Sequence, residues 1–114
     1  MKLEGLRVLD LSRFLPGPYM SLVMADHGAE VIKVESFDGE PTRKLGPSLE
    51  GFSVYFRNTQ RGKLSLRVDL KHPAGKDIFL KIADEADVII DSFRPGVVKK
   101  LGIDYQTIKY RNPG

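Results

Sequence analysis

The 114 residues contain no cysteine. Disulfides, thiolate metal sites and cysteine nucleophiles are thereby excluded, and the composition fits a cytoplasmic protein. Histidine is nearly absent: His27 and His72 are the two present, neither at ligand spacing with a carboxylate, so no metal is expected. No apolar run approaches the roughly eighteen residues of a membrane span, and Met1–Gly5 lacks the long apolar stretch of a signal peptide, so neither membrane nor export is expected. A G-x-G-x-x-G motif after the first apolar run and a Gly-Lys-Ser/Thr phosphate loop are both missing, which weakens a simple dinucleotide or NTP site. Zinc-finger spacings and RNP-like aromatic patterns are also missing, and basic residues are interleaved with acids. Nucleic acid is not the expected partner.

What is present is ordinary for one soluble globular domain: 41% hydrophobic and 29% charged residues. The net charge of +3 is unevenly placed. Residues 1–57 carry seven Lys/Arg against eight Asp/Glu, and residues 58–114 carry eleven against seven. The second half suits either a phosphate-bearing ligand or a solvated helical face.

The chain opens as strand, turn, helix, strand. Leu6–Leu11 is a short apolar run, and Phe14-Leu15-Pro16-Gly17-Pro18 breaks it. A helix follows, opened by Pro18 at its first position and ended by Asp26-His27-Gly28, with Gly28 just past its end and His27 a cap on the helix dipole. Tyr19, Met20, Leu22, Val23, Met24 and Ala25 make that helix apolar around most of its circumference, which calls for burial by more than one sheet. Glu30–Glu35 is the second strand. Two strands joined by one helix read as a right-handed βαβ unit, whose ligands sit at the carboxyl ends of the strands.

Ser36–Gly62 shows no strong periodicity, and a connection of that length is more often functional or packed on something else. Lys63–Asp69 alternates as a third strand. Pro73 then opens a helix whose apolar face is Ile78, Phe79, Ile82, Ala83 and Ala86. Asp87–Asp91 is continuously apolar in its middle, as a buried parallel strand should be. Val97–Leu101 forms a short helical turn closed by Gly102, and Asp104 caps a last helix, Tyr105–Arg111. The chain ends on Asn112-Pro113-Gly114, a turn rather than a closing strand, so a longer parent is expected. Asp10, Asp69 and Asp91 stand in or at the ends of strands, where an aspartate either serves as a nucleophile or caps the following turn.

Leu3–Arg13 with Pro16-Gly17-Pro18, then Ala25–Glu35, resembles the N-terminus of the class III CoA-transferases, the CaiB/BaiF family. Pro41-Thr42-Arg43 matches the family's arginine after the second strand. Arg61-Gly62-Lys63 with Leu66–Lys71 and Pro73-Ala74-Gly75 matches its third strand and helix start. Ala86–Gly96 and Leu101–Tyr105 match the fourth strand and the turn beyond. The resemblance runs through essentially the whole chain, in order and at fitting spacings.

The resemblance implies an α/β, Rossmann-like parallel sheet with flanking helices. It makes residues 1–114 the N-terminal part of the large, CoA-binding domain in a fold of two interlocked subunits. The implied activity is transfer of CoA from an acyl-CoA to a carboxylic acid through an aspartyl anhydride, on an aspartate that lies beyond residue 114. Coenzyme A and acyl-CoA are then the ligands. The implied contacts are Leu15 and Pro16 in the first turn, Val68, Asp69, Leu70 and Lys71 at the third strand's end, and Ser92, Phe93 and Arg94 after the fourth. Lys100 stands where the family often has an arginine near the nucleotide phosphates, and Ser36 where some members have one that holds the adenosine end. An acyl-CoA racemase of the same superfamily, using acid–base residues at the α-carbon, and a non-catalytic binding or oligomerisation module are the rival readings.

Overall fold

Four runs of β-branched and aliphatic residues build one parallel sheet in the computed structural model, which describes residues 1–114. In chain order the elements are β1 (Arg7–Asp10), α1 (Pro16–Asp26), β2 (Glu30–Glu35), a 3-10 turn (Pro41–Lys44), β3 (Ser48–Leu49), β4 (Phe52–Ser53), α2 (Val54–Gln60), β5 (Leu64–Arg67), α3 (Pro73–Ala83), β6 (Val88–Ile90), α4 (Val97–Leu101) and α5 (Tyr105–Arg111). The sheet order is β5-β2-β1-β6, with Val8 opposite both Val31 and Val88, and Ile32 opposite Leu64. The short β3 and β4 pair antiparallel as a separate hairpin. No helix is long and apolar enough to cross a membrane.

Strand alternation sorts the core into two layers. Leu9, Leu11 and Val34 pack with Val68, Phe79, Leu80, Ala83 and Ile103 beneath α3 and the C-terminal helices. Val8, Val31 and Ile90 pack with Ala29, Met24 and Ala25 on the α1 side. The fold class and element order agree with the expectation from sequence. Several details differ.

α1 begins at Pro16, not Pro18. The first N–H groups of a helix have no partner within it, so both prolines fit in one opening turn. Gly17 between them is required by contact: a Cβ there would lie 2.2 Å from the Ser12 side chain. The helix buries Pro18, Ser21 and Leu22, while Tyr19, Met20 and Val23 stay exposed. Within these residues it is covered on one side only. In α3, Ile78 is exposed and Leu80 takes the inward place assigned to it. The connection after β2 contains a helix, α2, whose N-cap Ser53 accepts the Phe56 N–H at 3.3 Å. Pro95 precedes α4 without opening it, because Gly96 is the N-cap, in left-handed backbone.

Candidate functional site

The carboxyl ends of β1, β2, β5 and β6 and the turns beyond them enclose a cleft of about 1120 Å³. Each strand hands its last residues to a turn that bonds back on itself. Asp10 accepts the Ser12 N–H at 2.9 Å, Asp69 the Lys71 N–H at 2.9 Å and Asp91 the Phe93 N–H at 3.2 Å. Each of these strand-end aspartates caps the turn that follows it. Beyond β5, Gly75 lets α3 approach closely, since a Cβ would sit 2.0 Å from the Asp69 carbonyl oxygen. His72 caps that helix, its Nδ1 accepting the Ala74 N–H at 3.1 Å.

Of the residues singled out from sequence, Val68, Asp69, Leu70, Lys71, Phe93 and Lys100 line this cleft together. Leu15, Pro16, Ser92 and Arg94 do not line it. Leu15 is the N-cap and Pro16 the first residue of α1, both exposed. Arg94 is exposed in the turn between β6 and α4. Ser92 is exposed beside it: its hydroxyl accepts the Arg13 N–H at 3.0 Å and so ties the turn after β1 to the turn after β6.

Sequence reasoning missed Arg13, Phe37 and Lys76, which also line the cleft. Arg13 stands in the turn after β1 and lies over the Phe93 ring, 5.8 Å from its centre. Lys76 was findable from helical spacing, one turn after Pro73. Arg13, Lys71, Lys76 and Lys100 have no ion-pair partner, and neither do Asp38, Glu40, Asp69 and Asp77 on the same lining. Cations from two turns and two helices, an aromatic ring and an apolar floor of Leu11, Val34 and Leu101 suit a long anionic ligand with an apolar arm.

Two buried polar clusters support the cleft on the α1 side of the sheet. In the first, Asp10 is fully buried and accepts the Ser21 hydroxyl at 2.5 Å and the Lys63 ammonium at 3.2 Å. Lys33 lies 3.8 Å from the same carboxylate and donates to the Ser12 carbonyl. Lys63 also donates to the Pro18 carbonyl at 3.0 Å and to Gln60 Oε1 at 2.7 Å, joining the starts of α1 and β5 to the end of α2. Burial pulls the Lys63 ammonium down to about 8 against the pull of Asp10, and it lowers Lys33 in the same way. Burial also works to raise Asp10. The Lys33 charge, the Ser12 and Ser21 bonds and the Lys63 charge outweigh it and hold the carboxyl below its ordinary value.

The second cluster fixes the wall that follows β2. The buried Glu35 carboxylate takes both arms of the Arg43 fork at 2.8 and 2.7 Å, the Glu40 N–H at 2.7 Å and the Ser65 hydroxyl at 3.2 Å. Burial would raise its pKa, but the Arg43 and Glu40 bonds lower it overall. The Arg43 guanidinium stacks over Phe56, 4.1 Å from the ring centre. The sequence carried a hint of both clusters. Val31, Lys33 and Glu35 alternate onto one face of an interior strand, so a lysine there has to be buried and paired.

The family model for CoA-transferase family III matches residues 3–114. The "Probable fatty acyl-CoA transferase Rv3272" of Mycobacterium tuberculosis is 43% identical over 114 residues, covering 97% of this chain and 29% of that protein. The succinyl-CoA:mesaconate CoA-transferase of Haloarcula hispanica is 38% identical over 116 residues, with the same shares covered. Among solved structures, a CaiB/BaiF family protein from Brucella suis superposes with a TM-score of 0.91 at 40% identity, over 96% of this chain and 30% of that one. The chain thus spans less than a third of the length of the relatives it matches.

Proposed function

This chain belongs to CoA-transferase family III, and from that premise we propose that residues 1–114 are the N-terminal part of a CoA-binding domain. The enzyme they serve moves CoA from an acyl-CoA thioester to a carboxylic acid. The observation that carries the reading is the cleft itself: unpaired Arg13 and Lys71, from the turns after β1 and β5, and Lys76 and Lys100, from α3 and α4, converge on the carboxyl edge of a parallel sheet. The cations meet the phosphates, and Phe93 packs on the adenine or the pantetheine arm. Leu15, Pro16 and Arg94 extend the contact along the rim.

The chemistry proceeds through an aspartyl anhydride on an aspartate beyond residue 114. The aspartates of this chain support that placement. Asp10 is buried and fully bonded, and Asp69 and Asp91 each hold a backbone N–H. The role of these 114 residues is to bind and orient CoA so that its thioester is presented to that group. The working enzyme is a homodimer of interlocked subunits, a reading supported by the open sheet edges at β5 and β6 and by the exposed apolar side of α1.

Titration calorimetry with free CoA tests the site. Losing a charge-assisted phosphate contact costs about 1.5–3 kcal/mol, or roughly ten- to a hundred-fold in affinity. Lys71→Ala and Arg94→Ala should each weaken CoA by that factor and reduce its salt dependence. Lys2→Ala, on an exposed residue outside the cleft, should change nothing. Equal affinities across the three variants would remove the site. A loss in Lys71→Ala alone would confine CoA to the cleft and drop the Arg94 contact.

A further inference from the structure

The first turn of the site has a backbone that its own sequence disfavours. Phe14 sits at φ +67, the left-handed region, where a side chain beyond Cβ is strained. Its phenyl ring is half exposed, so core packing does not force the conformation. Hydrogen bonds do. One oxygen of the buried Glu40 carboxylate accepts the Phe14 N–H at 2.7 Å, and the other accepts the Thr42 N–H at 2.6 Å and the Thr42 hydroxyl. The Tyr55 hydroxyl donates to the Phe14 carbonyl at 3.3 Å. Immediately before Phe14, the Arg13 N–H is held by Ser92 and its side chain lies in the cleft over Phe93.

We propose that Glu40 is a positioning residue for CoA: by holding the Phe14 N–H it keeps the first turn left-handed and so aims Arg13 into the cleft. The inference rests on the CoA reading above and adds to it a residue with no need to touch the ligand. Glu40 is suited to the task because both its oxygens face N–H or O–H donors. A glutamine has only one acceptor oxygen, and with that oxygen on Thr42 its NH₂ would confront the Phe14 N–H. The turn would then relax towards an ordinary backbone and carry Arg13 with it.

The test is a suppressor pair read by calorimetry with free CoA. Glu40→Gln should weaken CoA about tenfold, the scale of releasing one strained residue. Adding Phe14→Gly should restore most of that affinity, because glycine takes the left-handed backbone without strain. The thermal midpoint should recover only in part, because the Phe14 N–H still lacks its carboxylate acceptor. A role confined to stability would instead leave CoA affinity unrestored. Phe14→Val probes the same turn with Glu40 intact and should also weaken CoA, since a β-branched residue is poorly tolerated there. This second variant decides the matter if Glu40→Gln does not fold. Unchanged affinity in Glu40→Gln, no rescue by Phe14→Gly, or wild-type affinity in Phe14→Val overturns the inference while leaving the CoA site standing. If the wild-type protein itself binds no CoA, the functional reading fails and this inference falls with it.

Discussion

Replacing Asp10 by asparagine removes one charge and almost no volume, which makes it a clean probe of the buried cluster. The carboxylate has no exposed surface, and the Lys33 and Lys63 side chains are 3% and 1% exposed. Without it, two ammonium groups stay buried without an ion-pair partner, with only the more distant charges of Glu40 and Glu35 to offset them. Breaking a buried pair in this way costs about 3–5 kcal/mol. Lys63 tempers the loss. A lysine already lowered to about 8 with Asp10 still raising it can shed its proton at neutral pH for at most about 1.4 kcal/mol once Asp10 is gone. The expected cost is therefore near the lower bound, about 3 kcal/mol, from a total stability on the order of 5–15 kcal/mol. In urea denaturation the midpoint should fall by roughly 1–3 M with the slope unchanged. Adding Lys63→Met should recover part of the loss, because the orphaned charge goes with it. An Asp10→Asn midpoint indistinguishable from wild type, or losses that simply add in the double variant, would refute the reasoning.

Three further outcomes are expected. The Lys63 ammonium titrates at about 8 in the fold against 10.5 ordinarily, so the unfolded chain binds more protons between those values. Stability should rise across that alkaline window, and Lys63→Met should flatten the rise; parallel profiles would contradict it. Gly75→Ala, which drives a methyl against the Asp69 carbonyl, should cost about 1–3 kcal/mol and weaken CoA by shifting the Lys71 turn. Residues 1–114 alone should self-associate in sedimentation and transfer no CoA, and measurable turnover would show that the nucleophile lies among them.

β1, β2 and β6 were legible in the sequence as short β-branched or aliphatic runs between breakers, and β5, at the sheet's edge, as an alternating run. The cleft's position followed from that topology, whereas Lys71, Phe93 and Lys100, which line it, were picked out by the family resemblance. α2 was not legible, since its seven residues bury only Thr59 and Gln60 and show no apolar stripe. Glu40 was hidden for another reason. Its partners, Phe14 and Thr42, lie on two loops, and no local pattern tells that a glutamate 26 residues away holds an N–H. Long-range polar bonds between irregular segments leave no period to read. The same holds for the Asp10–Lys63 pair, 53 residues apart.

The sheet order has a consequence for how the chain folds. β1 lies in the middle, and one of its neighbours, β2, follows within thirty residues, whereas β6 pairs Val8 with Val88. On a ribosome adding about 5–20 residues per second, β1 waits roughly 4–16 s for its second partner. Throughout that interval the strand that becomes the centre is an edge, with the row of backbone groups later claimed by β6 unpaired. Folding is therefore limited by a late, long-range closure. Changes that slow the arrival of β6 should lower the yield of soluble protein even where they leave the finished fold unharmed.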